Sequence, residues 1–150
     1  KNLIFNRVQF KFQKGIVKDP KLGLTSYEEY NWMYVHLLYD TCRECIEIKK
    51  YFKDIQPILN KIKPKTLLRA QINALVPTNK HIYHDYHVDK TNYHQVGLFY
   101  LTTCNGYTEI LNTSKIDCVE NRMLIFDGNL EHRSVTSTDH LRSVINLNFK

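Results

Sequence analysis

The feature that most constrains the fold is a change in hydrophobic periodicity at about residue 65. Beyond that point apolar and polar residues alternate in short runs, and a period of two is typical of β-strands. The Asn105-Gly106 and Asp127-Gly128 pairs between the runs are turn signals. The second half of the chain, about 65–150, therefore predicts a sandwich or barrel of about eight short strands, as in jelly-roll proteins. The clearest runs are residues 66–74, 96–102, 123–126 and 143–149.

The first half of the chain predicts helices. Residues 4–12 largely alternate and indicate an opening strand or extended arm. Ser26 and Glu29 then have capping-box spacing, and apolar residues follow at helical intervals. We therefore expect a helix from Tyr27 to about Cys42.

A second helical region is expected over residues 43–62. Pro57 should interrupt it, and Asp54 is a candidate cap for its last piece. With 150 residues, 43% of them hydrophobic, the chain has room for one domain with a real core. The expected fold is α+β within a single domain over residues 1–150: a helical brace, about 1–64, packed against the β-rich core.

The charge and the cysteines narrow the function classes. The formal net charge is +6, and residues 1–80 carry 15 Lys and Arg against 7 Asp and Glu. Such a half can favour an acidic or nucleic-acid partner, but we favour solvated helix faces. The density of cysteine is too low for a disulfide framework, and the CxxC lacks a second half that would complete a zinc site. We expect reduced thiols in a cytoplasmic protein, with no membrane span or signal peptide. The cysteines are Cys42, Cys45, Cys104 and Cys118.

Three residues of the β-rich half have the chemistry of a metal site. His87 and Asp89 lie two apart, so in a strand both side chains project from one face. His132 follows the Asp127-Gly128 turn and is well placed to return to the same end of the core. Two imidazoles and one carboxylate are the ligands of a non-haem Fe(II) site with open coordination positions.

The H-x-D pair alone is a weak signal. Seven histidines and eight aspartates in 150 positions produce such a pair about 0.4 times by chance. Other histidines crowd the same region, and a grouping such as His84 with His87 is an alternative that would bind zinc.

The last segment of the chain strengthens the metal interpretation. Alternation over residues 141–149 puts Arg142, Val144, Asn146 and Asn148 on one face and the remaining, mainly apolar residues on the other. An arginine aimed into a barrel is costly to bury unpaired, whereas its guanidinium matches a carboxylate in a bidentate, charge-assisted contact. Pairing with a structural Asp or Glu is the competing explanation.

In this order along the chain, the residues resemble the Fe(II)- and 2-oxoglutarate-dependent dioxygenases, and within them the prolyl 4-hydroxylase-like branch. The resemblance covers about residues 66–149. Residues 106–110 resemble a strand that the family enters through a glycine pair, of which one glycine is present. The other similar segments are the H-x-D at His87-Val88-Asp89, the strand with tyrosine followed by leucine at 98–102, the strand leading into the distal histidine at 121–127, and that histidine with the residues after it at 132–135.

This resemblance implies a double-stranded β-helix core and an enzyme that uses Fe(II), 2-oxoglutarate and O2 to hydroxylate a C–H bond, with release of succinate and CO2. It assigns the iron to His87, Asp89 and His132. It assigns the far carboxylate of 2-oxoglutarate to Arg142 and Tyr100.

Two positions depart from the pattern of the branch. Val144 stands two residues after Arg142, where a small or hydroxyl residue is common. Asn73 stands where relatives use a tyrosine against the co-substrate, and its amide is able to donate a hydrogen bond instead. We include Asn73 and Asn146 among the expected cofactor-binding residues.

The resemblance implies a protein or peptide substrate, with a peptidyl proline as the preferred target. A proline-rich chain offers a preformed polyproline II shape that aromatic grooves recognise. We expect Tyr83, Tyr86 and Tyr93 to contact substrate, in loops at 75–86 and 90–95 that flank the H-x-D and form a candidate lid.

Other functions remain open at this point. A nucleic-acid hydroxylase would suit the basic half, but the base-demethylating branch has a second arginine six residues after its anchor, where this chain has Asn148. A small-molecule hydroxylase, a non-catalytic jelly-roll binding module and a zinc hydrolase are further alternatives. The hydrolase lacks an obvious general-base glutamate beside the H-x-D pair.

Overall fold

A computed structural model describes residues 9–14, 32–41 and 51–150 of the chain. In these ranges it has nine strands, one α-helix and a short 3-10 turn that leads into the helix. The strands are β1 (Lys11–Lys14), β2 (Trp32–Asp40), β3 (Leu67–Leu75), β4 (Gln95–Tyr100), β5 (Tyr107–Ile110), β6 (Ser114–Asp117), β7 (Met123–Asp127), β8 (His132–Val135) and β9 (Arg142–Phe149). The 3-10 turn is Lys53–Ile55 and the helix, α1, is Gln56–Ile62.

The strands form two antiparallel sheets. The large sheet has the order β1-β2-β3-β9-β4-β7, and the small sheet has the order β6-β5-β8. Strands that are neighbours in the sheets are often distant in sequence, since β9 pairs with both β3 and β4. A buried cluster that includes Val96 and Leu98 from β4 and Ile110 from β5 joins the two sheets. The β-rich core expected from the sequence is confirmed.

Strand β9 has two different faces, as its alternation predicts. Arg142, Val144 and Asn146 line a cavity between the sheets. Ile145 and Leu147 belong instead to an apolar cluster on the other side of the large sheet. The face with Arg142 and Asn146 therefore belongs to the site, and the face with Ile145 and Leu147 belongs to the core.

The outer face of the large sheet is covered by the helical segment. Ile55 and Leu59 pack against Leu38 of β2, Ile72 of β3 and Leu147 of β9, and all five side chains are buried. Burial of this apolar surface fixes the orientation of β3 and β9. The cavity lies on the opposite face of these two strands.

The expected helix from Tyr27 to about Cys42 is wrong, and with it the prediction of several helices in a brace over about 1–64. Residues Trp32–Asp40 form strand β2, which pairs with β1 and β3. The apolar residues of this segment are mostly aromatic or β-branched, so they also suit a pleated surface, and pairing on both sides outweighs the helical spacing. The rest of that expected helix, residues 4–8 of the expected opening strand, and Cys42 with Cys45 lie outside the described residues.

The second helical region is confirmed where the structure describes it, over residues 51–62. Pro57 lies in the first turn of α1, where its missing N–H costs nothing, and the 3-10 turn before it separates α1 from the helical residues 51–52. The helical region is therefore interrupted at this point, as expected. Asp54 does not cap α1, because the N-cap residue is Ile55 and no side chain caps it. No helix in the described ranges is long and apolar enough to cross a membrane.

Candidate metal centre and anion pocket

His87 and His132 are held together by their backbones. The His87 N–H donates to the carbonyl of His132 at 3.0 Å, and the His132 N–H donates to the carbonyl of His87 at 3.0 Å. This reciprocal pair fixes the segment before Asp89 against β8, and the centroids of the two rings lie 4.7 Å apart. The H-x-D is not on a regular strand as expected, since His87 makes a single bridge and Asp89 lies in a bend.

Both imidazoles present the same nitrogen to the site. The Nδ1 atoms of His87 and His132 lie 3.2 Å from the carbonyl oxygens of Asp85 and Leu130, respectively. A carbonyl only accepts, so in each ring Nδ1 donates its proton and the neutral ring keeps its lone pair on Nε2. This is how metal-binding histidines are oriented.

The side chain of Asp89 is almost fully buried and is held by three other side chains. Its Oδ2 accepts hydrogen bonds from the Nδ2 of Asn148 at 2.7 Å and of Asn146 at 3.0 Å. Its Oδ1 lies 3.3 Å from Arg69 Nη2 and 3.7 Å from His87 Nε2. Burial opposes ionisation, but the Arg69 charge, with His132 and the two amides, outweighs it and holds the pKa of Asp89 below 3.8. The carboxyl is therefore an anion at neutral pH.

The three side chains offer ligand atoms that all lie within 4.8 Å of one another. Among the described residues this is the one group of three or more His, Cys, Asp or Glu side chains with such spacing. Burial, reinforced by His87 and opposed by Asp89, lowers the pKa of His132 below 6.5, so its ring is neutral at pH 7 and able to bind a metal. Two nitrogens and one oxygen fit a divalent transition metal such as Fe(II) with open positions.

The structure does not group His84 with His87, as the alternative zinc site requires. His84 is buried, and its Nδ1 lies 2.6 Å from the hydroxyl oxygen of Ser134 on β8. It is not part of the group of three ligands.

A cavity of about 720 Å³ between the sheets contains this cluster. Its wall includes all three candidate ligands together with Thr108 and Arg142. It also extends along the inner faces of β1 and β2, and its volume is in the range of small-molecule sites. The three candidate ligands and Arg142 therefore open into the same space.

Arg142 is an almost fully buried cation, and no acidic side chain of the described residues pairs with it. Its Nη2 donates to Thr108 Oγ1 at 2.7 Å, and its buried Nε has no hydrogen-bond partner in the described part of the chain. No carboxylate of the described residues lies within 4.0 Å of its guanidinium. A buried unpaired charge is costly, so the site fits an anionic ligand such as a carboxylate.

The Tyr100 hydroxyl is linked to the Arg142 guanidinium through Thr108. The Tyr100 hydroxyl donates to Thr108 Oγ1 at 2.8 Å, and burial raises the pKa of Tyr100 above 10.0. Because Thr108 accepts from both Tyr100 and Arg142, both of its lone pairs are used, and its own proton is free to be donated. Contact of Tyr100 with a co-substrate stays a prediction, and in this structure Thr108 lies between Tyr100 and Arg142.

The two asparagines expected to bind the co-substrate both line the cavity. Asn73 Oδ1 accepts a hydrogen bond from Gln71 Nε2 at 2.8 Å. Asn146 donates to Asp89, so its contact in this structure is with a candidate metal ligand. Their roles toward a co-substrate stay predictions.

The three tyrosines expected at the substrate lie outside the cavity wall. The Arg133 guanidinium lies over the rings of Tyr83 at 4.8 Å and Tyr86 at 4.3 Å, and its Nε lies 2.6 Å from Glu109 Oε2. Arg133 itself lines the cavity. Tyr93 is exposed. Substrate contact by these tyrosines stays a prediction.

Three site residues were not identified from the sequence. Asn148 was placed on the correct face of β9, but nothing in its alternation indicated a contact with Asp89. Thr108 lies beside Glu109 in β5, and Arg69 is one of three polar residues in β3, so no motif distinguishes either of them. Their contacts depend on strand pairing, which only the three-dimensional structure supplies.

No family model matches the chain, and no curated protein matches it. Among solved structures, a 2OG-Fe(II) oxygenase family oxidoreductase from Burkholderia pseudomallei is similar with a TM-score of 0.66 at 13% identity, over 99% of this chain and 76% of that protein. A prolyl hydroxylase from Trichoplax adhaerens, in complex with a peptide fragment of the hypoxia inducible factor oxygen degradation domain, has a TM-score of 0.58 at 17% identity, over 99% and 73%. A cupin-2 domain from Rhodospirillum rubrum has a TM-score of 0.51 at 9% identity, over 93% and 69%. The chain has the double-stranded β-helix fold that 2OG-Fe(II) oxygenases, prolyl hydroxylases among them, share with cupins.

Proposed function

We propose that the protein is an Fe(II)- and 2-oxoglutarate-dependent dioxygenase. One observation supports this more than any other: three candidate metal ligands and a buried guanidinium, which has no acidic partner among the described residues, open into the same cavity. A metal site alone would suit a cupin or a hydrolase equally well. Arg142 forms a second, cationic site, which fits a ligand with a carboxylate at some distance from the metal. A dicarboxylic keto acid has such a carboxylate.

Each residue has a defined part in this proposal. His87, Asp89 and His132 bind the metal through Nε2, Oδ1 and Nε2. Arg142 binds the far carboxylate of 2-oxoglutarate, and Thr108 donates its free proton to the same group. When bound, the iron and 2-oxoglutarate supply the oxidising chemistry, in which O2 is consumed and succinate and CO2 are released. The chain positions these groups and excludes water from the buried side of the cavity.

The test is anaerobic addition of Fe(II) and 2-oxoglutarate, observed through the weak visible charge-transfer band of the chelate. We expect the band in the wild type, its loss in His132→Ala, and a higher 2-oxoglutarate concentration for half-saturation in Arg142→Ala. Arg133→Ala is the matched control, because Arg133 lines the same cavity but pairs with Glu109. Absence of the band in the wild type at every metal loading would contradict the proposal and favour a non-catalytic binding module.

For the substrate, we propose a peptidyl proline or a similar protein residue. The similarity of fold to the prolyl hydroxylase from Trichoplax adhaerens supports this choice. The Tyr83 and Tyr86 rings stacked about Arg133 at the edge of the cavity support it also, because aromatic side chains bind proline-rich chains well. Succinate release should rise on addition of proline-containing peptides and not of their alanine counterparts. Stimulation by single-stranded nucleic acid or by a small metabolite instead would identify a different substrate class.

A further inference from the structure

The two carboxylate oxygens of Asp89 have different partners. Its Oδ2 is held tightly by two amides, at 2.7 Å from Asn148 and 3.0 Å from Asn146. Its Oδ1 has a single cationic neighbour, Arg69, at 3.3 Å. Charge-assisted contacts usually lie at about 2.7–2.9 Å, so this second contact is loose.

Oδ1 is also the oxygen that faces the metal position. It lies 3.7 Å from His87 Nε2, the nitrogen that carries the ring's lone pair. Because both lone pairs of Oδ2 are used by the asparagines, Oδ1 is the oxygen with room for a metal. Arg69 therefore lies against the same oxygen that a metal ion would bind.

Within the part of the chain that the structure describes, Asp89 is the one side chain that holds the Arg69 guanidinium. The Nε of Arg69 is buried and has no hydrogen-bond partner among the described residues. Its side chain is about one-fifth exposed and lines the cavity, whereas Asn148 is fully buried. The guanidinium therefore has space in the cavity to move away from Asp89, and its Nε–H, which has no partner among the described residues, is free to form a new hydrogen bond.

We propose that Arg69 is a built-in counter-cation of the metal site. In the metal-free protein it neutralises the buried Asp89 carboxylate and keeps it in place, and on metal binding it gives way at Oδ1. Two cations at one oxygen repel each other, so Arg69 lowers the affinity for a divalent ion. Asn146 and Asn148 have the opposite effect, because they hold Oδ2 and leave Oδ1 correctly aimed. This inference rests on the proposed metal site.

The test is a titration of the metal-free protein with Mn(II) alone, with free Mn(II) measured by electron paramagnetic resonance. Arg69→Met keeps the length and apolar stem of the side chain but removes the charge, and we expect it to bind Mn(II) about tenfold more tightly. Arg69→Lys keeps a positive charge and should stay within about threefold of the wild type. Asn148→Leu should bind about tenfold more weakly. Arg133→Met is the control for loss of a cation from the cavity wall, with affinity unchanged.

The outcomes separate the inference from the proposed function. Mn(II) binding by the wild type that is lost in His132→Ala, together with unchanged or weaker binding in Arg69→Met, would overturn the role of Arg69 and leave the metal site intact. Arg69→Gln repeats the test if Arg69→Met fails to fold, as judged by circular dichroism. Absence of Mn(II) binding in the wild type and in every variant would contradict both ideas.

Discussion

Thr108 connects Tyr100 with Arg142 through its hydroxyl oxygen. Tyr100 and Arg142, from β4 and β9 of the large sheet, both donate to it, while Thr108 itself lies on the small sheet. Its hydroxyl thus determines where the guanidinium lies before any ligand arrives. The contact is fully buried, so each donor depends on it.

Thr108→Val should destabilise the protein by about 1–3 kcal/mol, because it leaves the hydroxyl of Tyr100 and an N–H of Arg142 buried without an acceptor. The measurement is urea denaturation of the metal-free protein. Thr113→Val, at an exposed position, is the control and should change the free energy of unfolding by less than about 0.5 kcal/mol. Equal stability of the two variants would show that the buried oxygen contributes little.

Gly106 lies where a side chain would come too close to Arg142. A Cβ there would meet Arg142 Cδ at 3.0 Å and the backbone of β8 and the residues after it, at Val135 O 2.9 Å and Ser137 N 3.0 Å. We expect Gly106→Ala to move Arg142 and weaken 2-oxoglutarate binding, measured by calorimetry with Mn(II) present. Gly97→Ala is the control, because its closest neighbour is the far end of the Phe149 side chain at 3.1 Å. Similar 2-oxoglutarate affinities in both variants would contradict this arrangement.

At the level of strands, β2 differs most from what the sequence predicts. It lies between β1 and β3, and its inner side forms part of the cavity wall. One of its side chains, Leu38, is 2% exposed in the cluster with α1. The strand therefore belongs to both the core and the site.

Leu38→Ala should cost about 2–5 kcal/mol of stability, since it removes a buried side chain from the contact between β2 and the helical segment. Chemical denaturation measures the loss. Phe12→Ala on β1 is the comparison, because Phe12 is 52% exposed and should cost little. A small effect of Leu38→Ala would mean that β2 is peripheral, contrary to its place in the sheet.

Sequence patterns reveal some strands and miss others for physical reasons. In β9 one face packs against α1 and the other faces the cavity, so alternation predicts both the strand and the direction of Arg142. In β2 the apolar residues fall at helical spacing, and only pairing with two neighbours determines the strand. The contacts of Asp89 with Arg69 and the asparagines join three distant parts of the chain, and no local pattern encodes them.

Across the whole molecule, the buried imidazole of His132 links folding to pH. The folded protein keeps this ring neutral, because burial lowers its pKa below 6.5, whereas in the unfolded chain it takes up a proton near pH 6.5. The unfolded state therefore binds more protons below that pH. The metal-free protein should lose stability as the pH falls, by at most about 1.4 kcal/mol per pH unit for this group.

This dependence is measured by thermal or urea unfolding between pH 7.5 and about 5 in the presence of a chelator. His132→Gln should flatten the dependence in this range, while His140→Gln, which changes an exposed histidine, should not. Identical slopes in the wild type and His132→Gln would show that the ring is protonated as readily in the folded protein as in the unfolded chain.

If the proposed metal site is real, the reciprocal backbone hydrogen bonds of His87 and His132 make it a preorganised chelator. An open chain loses conformational entropy when a metal draws distant donors together, whereas here folding has already closed that ring. In the terms of coordination chemistry, the two imidazoles would then resemble the donors of a macrocycle, which are held in place before the metal binds, and not those of a flexible polyamine. The separation of the two imidazoles is then set by the backbone pairing, so exchange of one bound divalent ion for another should leave the strands unmoved.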